Sequence, residues 1–181
     1  PTTAGMSPHE VTEGLYTSVS NLNANMLTVY SASKAAKEYI NLVSAVFMTN
    51  NIRGKYEGSP LLATPERLFE EELDHSHTVY GITQLEIEET HAGPDTVEQL
   101  VSFYLFLPEE TSVTDAGEKL WRDHEPLSVY YYRDRCTLTL KKDRWKITSI
   151  EPLERSLVEN SGEVIFNAVA SGNGGTLPYA P

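Results

Sequence analysis

The stretch LSVYYYRDRCTLTLKKDRWKITSI, residues 127–150, decides how the chain folds. Tyr130, Tyr132, Cys136, Leu138 and Leu140 share one face of a period-two pattern, which predicts a long strand over 127–140. Lys141-Lys142-Asp143 is short and basic, as a solvated hairpin tip should be, and residues 144–150 read as the returning strand. Upstream, residues 97–107 form another strand, with Val101, Phe103, Leu105 and Leu107 on one face and Tyr104 and Phe106 on the other. Pro108 stops it. Residues 79–89 alternate as well, and Gly93-Pro94-Asp95 breaks the chain before the next strand.

The N-terminal part has a different period. Ser7-Pro8-His9-Glu10 supplies an N-cap serine, a proline at the first helical position and a glutamate three residues after the cap. Apolar residues follow at Val11, Leu15, Val19, Leu22, Met26 and Tyr30, then Ala36, Tyr39, Ile40, Val43 and Phe47. This predicts one long helix or two consecutive ones, ending near Asn50 to Gly54. Residues 54–63 read as a loop, and Thr64-Pro65 opens a short helix carrying Leu68, Phe69 and Leu73. Residues 156–181 read as a short apolar segment and a mobile Gly-rich tail.

The expected fold is therefore α+β: a long N-terminal helix or helix pair packed on a curved, cone-shaped antiparallel sheet of about four strands. The expected organisation is a helical arm over 1–33, the α+β cone domain over 34–155, and a C-terminal extension over 156–181.

Composition narrows function by exclusion. With 14 Lys+Arg against 26 Asp+Glu the net charge is −12, a field that repels phosphate backbones and anionic headgroups, so nucleic acid is not an expected partner. No apolar run is long enough to span a bilayer, so no direct membrane insertion is expected of this segment. The one cysteine, Cys136, allows no intrachain disulfide. The start at Pro1 is read as that of a mature or trimmed chain.

Leu100–Leu107, Val129–Leu140 and Arg144–Ile150, with the helix around 35–50 upstream, resemble the nuclear-transport-factor-2-like (cystatin-like cone) superfamily. The resemblance implies an antiparallel cone. It also implies one of two roles: an extracytoplasmic, non-enzymatic subunit of a secretion or cell-envelope assembly, or a small-molecule-binding, isomerase- or dehydratase-type pocket. The long extra helix and the lack of a catalytic pattern favour the assembly domain, with protein partners or self-association and no cofactor. This resemblance also places the protein outside the cytoplasm, secreted or anchored through a preceding segment.

Several residue groups bear on that choice. Between Val11 and Ser33 the only charged side chain is Glu13, so Val19, Leu22 and Met26 are interface candidates. Tyr104, Tyr130 and Tyr132 are candidates for lining a pocket, although core filling explains them more simply. An isomerase would need an acid in that pocket. Asp134 lies on the inward face but at mid-strand between Arg133 and Arg135, and Glu86 and Glu88 share a face of their own strand. His75 and His77 form a His-x-His pair, a weak metal signal at a helix–strand junction. Tyr30 and Lys34, with Ser18 upstream, copy a dehydrogenase signature without the Gly-rich nucleotide-binding unit it requires.

Overall fold

Ser7 caps the first helix, α1 (Pro8–Ser20), through a complete capping box. Its hydroxyl accepts from the Glu10 amide at 3.2 Å, and the Glu10 carboxylate accepts from the Ser7 amide at 3.0 Å. Those bonds, the Ser7 backbone amide first, hold the Glu10 carboxyl below its ordinary pKa. The computed structural model describes residues 2–57, 62–63, 78–108, 127–159 and 164.

The N-terminal pattern resolves into three helices rather than one or two. The others are α2 (Ala24–Tyr30) and α3 (Lys37–Glu57). The first break is a Schellman turn: the Leu22 amide donates to the Val19 carbonyl at 3.3 Å and the Asn23 amide to that of Ser18 at 2.9 Å. Leu22 takes the left-handed position there, φ 55°, where glycine costs least. The second break is at Ser31, where the chain forms a bridge with Ile147 and the Ala32 amide donates to the Ile147 carbonyl at 2.8 Å. An apolar stripe that stays in phase hides both turns, because they change direction without breaking the stripe.

Two very short strands, β1 (Leu62–Ala63) and β2 (Thr78–Val79), pair in parallel. The remaining strands are β3 (Gly81–Ala92), β4 (Thr96–Pro108), β5 (Leu127–Lys141) and β6 (Arg144–Leu157). They form a curved, unclosed antiparallel sheet in sequence order. β6 runs seven residues past the expected Ile150, through Pro152. As an edge strand it tolerates a residue that donates no ladder hydrogen bond. Lys142 and Asp143, both left-handed at φ 52° and 62°, make the two-residue turn between β5 and β6.

The chain divides into two compact units: residues 1–44, 85–103 and 131–155 form the first, and 45–84, 104–130 and 156–181 the second. The expected arm, 1–33, falls wholly in the first. There Val11, Leu15, Tyr16 and Val19 of α1 are fully buried, as are Tyr39 of α3, Phe103 of β4, Cys136 and Leu138 of β5 and Ile147 of β6. At ~1.5–3 kcal/mol for each large apolar side chain, this burial is the main force holding the unit. In the second unit Phe106, Val129 and Val164 form a buried cluster, with Tyr104 and Val158 packed against it.

Candidate functional site

Period-two alternation on β5 turns Asp134 to the same side as Cys136 and Leu138, and all three are fully buried. The alternation put Asp134 on the inward face, at mid-strand between two arginines, but gave it no partner. In the structure Asp134 is the centre of the first unit's interior. One carboxylate oxygen accepts the hydroxyls of Tyr16, at 2.5 Å, and of Tyr39. The other accepts from the Arg155 guanidinium at 2.7 Å. Arg155 also forks onto Glu38 at 2.8 and 2.9 Å, donates to the carbonyls of Arg133 and Glu154, and lies 4.1 Å over the ring of Tyr132. Phe103 packs against Tyr16, Tyr39 and Tyr132 with ring centroids 5.1–6.5 Å apart.

Electrostatics follow from this arrangement. Burial pushes the Tyr16 phenol well above its usual range, with Tyr39, Cys136 and Asp134 adding to it. Burial and then the Asp134 charge do the same for Tyr39. The Cys136 thiol is pushed up to about 12, chiefly by burial, against a lowering hydrogen bond from Tyr16. Burial disfavours the Arg155 charge, but hydrogen bonding to Glu38 and its acidic surroundings outweigh it, and the guanidinium stays charged. The phenols stay protonated and donate, and the thiol is no nucleophile. What the cluster can do is hold α1, α3, β5 and β6 in register. Sequence gave Arg155 no role, and Tyr16 lay off the stripe by one residue. A signal was present in the spacing of Tyr16 and Val19 to Leu15 on one helical turn, which makes the buried face wider than the stripe.

A second polar pair lies on the same side of the sheet. Gln99, at a buried period-two position of β4, accepts from the Thr12 hydroxyl at 2.5 Å, and its amide nitrogen is buried with no partner among the described residues.

The sequence candidates are distributed as follows. Tyr132 stands in the first unit between Phe103 and Arg155, while Tyr104 and Tyr130 belong to the second, both half-buried. Val19 is fully buried, so Leu22 and Met26, both half-buried, are what the α1–α2 stripe presents. Tyr30 lies so close over Gly14 that a β-carbon there would sit 2.6 Å from its ring, and Ser18 donates to the Gly14 carbonyl at 2.8 Å. Two of the three residues of the dehydrogenase-like pattern thus serve helix packing, and the third, Lys34, is exposed. His75 and His77, like the helix expected over 64–73, lie outside the described residues. Among the described residues no group of three or more His, Cys, Asp and Glu side chains is placed to hold a metal ion, and no helix is long and apolar enough to cross a membrane.

Among the described residues of the first unit, surface grooves open at two places. One, of about 550 Å³, is lined by the β5–β6 hairpin together with residues from the N-terminus and α2. The other, of about 320 Å³, is lined by Glu86, Glu88 and Glu154 beside Tyr131 and Arg133. Glu86 and Glu88 do share a face, and it is this groove's. Neither groove is lined by Asp134, Tyr16 or Tyr39.

Comparison with protein-family profiles, with characterised proteins and with solved structures finds no match to this chain.

Proposed function

We propose that the chain is a non-enzymatic, extracytoplasmic assembly domain in which the N-terminal helices pack on a cone-shaped sheet of the nuclear-transport-factor-2-like kind. The observation that supports it best is the filled interior of the first unit. A pocket enzyme of such a fold needs its acid beside vacant space. Here both oxygens of Asp134 accept hydrogen bonds from Tyr16, Tyr39 and Arg155, and aromatic rings close round it. Two surface features fit assembly. Phe47 and Met48, consecutive on α3, are 52% and 61% exposed, where an apolar side chain gains most from a protein partner. Leu22 carries a half-buried apolar side chain at a left-handed backbone position that glycine would adopt at lower cost.

Native mass spectrometry tests this on the wild type, on Phe47→Glu/Met48→Glu and on Leu22→Glu/Met26→Glu, each checked for folding by circular dichroism. The expected result is a defined oligomer that at least one folded double variant converts to monomer. A wild-type monomer carrying a stoichiometric small molecule in the first unit's interior, or an oligomer indifferent to both variants, would overturn the reading.

A further inference from the structure

The groove at the β5–β6 hairpin has a composition at odds with the rest of the chain. Lys141, Lys142, Arg144 and Lys146 all line it, and among the described residues no carboxylate does, Asp143 of the same turn not being part of the lining. A chain with 26 acids and 14 bases has therefore gathered four of its cations around one depression. All four are exposed, and none is ion-paired among the described residues.

The backbone holds the cluster in place. The two-residue turn at Lys142-Asp143 sets Lys141 directly across from Arg144, and Lys146 follows on the same face of β6. Like charges facing across a hairpin are unfavourable, so folding alone does not account for them. The opposite wall is fixed to β6 by the antiparallel bridge of Ala4 to Arg144 and by the Ser31–Ile147 bridge. That wall contributes threonines, and Thr139 and Thr148, hydrogen-bonded to each other at 3.0 Å, form part of the floor. Thr28 and Thr148 donate to the carbonyls of Asn25 and Thr137, so the ammonium and guanidinium groups are the charged donors that an oxyanion would meet here.

We infer that this groove binds a small ligand carrying a phosphate or polyphosphate group. Volume and charge both favour a small ligand over a polymer. About 550 Å³ is the size of a small-molecule site. The net charge of −12 repels an extended polyanion, whereas a compact one sees mainly the four cations within about 8 Å, the screening length at physiological salt. The inference stands apart from the assembly reading, since it concerns a different surface.

Pyrophosphate is the probe, titrated calorimetrically into the intact protein at low salt. Saturable one-to-one binding is expected, weakened about tenfold or more in Lys141→Gln/Lys146→Gln. Lys37→Gln, which removes an exposed cation of α3 that does not line the groove, should bind as the wild type does. Melting temperatures confirm that each variant is folded. No saturable binding, or equal weakening by Lys37→Gln, would overturn the inference. So would groove-dependent binding of duplex DNA or phosphatidylserine vesicles tighter than that of pyrophosphate, because the site would then serve a polymer or a membrane.

Discussion

Replacing Asp134 by alanine removes the acceptor on which three elements converge. Two buried phenols lose their carboxylate acceptor: Tyr16 keeps only the Cys136 sulfur, and Tyr39 only the Arg155 guanidinium, a donor, each at 3.4 Å. A buried donor left unsatisfied costs about 1–3 kcal/mol. Arg155 suffers less, because Glu38, two carbonyls and the Tyr132 ring remain. Breaking a buried ion pair by deleting one partner costs about 3–5 kcal/mol where the other charge is left bare. With the guanidinium still held, about 4 kcal/mol for the whole substitution is the expected value. At about 2–4 °C per kcal/mol for a chain of this size, the melting temperature should fall by about 8–16 °C. Urea unfolding followed by circular dichroism should show the midpoint fall with an unchanged slope. Asp134→Asn, which keeps the volume and loses the charge, should lie between. Tyr16→Phe and Tyr39→Phe should be non-additive, since both hydroxyls bond one oxygen. If Asp134→Ala melts within about 3 °C of the wild type, the carboxylate does not organise this interior, and the case for a filled, non-catalytic core falls with it.

Two further outcomes follow from the same geometry. The Cys136 thiol is raised on folding from 9.0 to about 12 and the two phenols are raised above 10.0, so the folded state holds these protons more tightly. Stability is then complete below pH 9 and falls as pH rises through 9 to 12, by about 1.4 kcal/mol per pH unit for the thiol alone. Urea midpoints at pH 8.0 and 10.5 check this, and Cys136→Ala should flatten the slope; equal midpoints in the wild type would refute it. Leu22→Gly should relieve about 1 kcal/mol of backbone strain while removing a half-buried side chain. Its melting temperature should stay within about 4 °C of the wild type, and a larger fall would show that Leu22 is a core residue rather than a surface one.

The sheet was legible because strands declare themselves locally. Alternation over 97–107 and 127–140, and turn residues at 93–95 and 141–143, depend only on neighbours in sequence. The α1 boundary was legible for the same reason, since Ser7, Pro8 and Glu10 act within one turn. The helix breaks were not, because a leucine in a glycine position carries no turn signal. The length of β6 was hidden by Pro152, which ends a central strand but not an edge one. The Asp134 cluster was illegible for a different reason. Its members are separated by 95 to 118 residues in the helix-to-strand bonds, and each alone has a commoner reading. Asp134 reads as an inward-facing acid at mid-strand with no partner near it in sequence, and Arg155 belongs to no pattern at all. Only long-range pairing makes them partners.

The first unit handles its cations in two opposite ways, and the contrast bears on what each is for. Arg155 is surrounded by Glu38, Asp134, carbonyls and a ring, so its contribution is structural and its loss should register as lower stability. The hairpin cations have no such company, and Lys141 faces Arg144 across the strand pair. Removing one of them should leave stability unchanged or raise it slightly, because repulsion is relieved and no described ion pair is lost. If solubility were their role, the surplus of acids elsewhere would already supply it. A cation that repels its cross-strand neighbour and forms no described ion pair leaves its charge available to a ligand. With the interior closed round Asp134, the basic groove is where the first unit can meet a small anionic ligand.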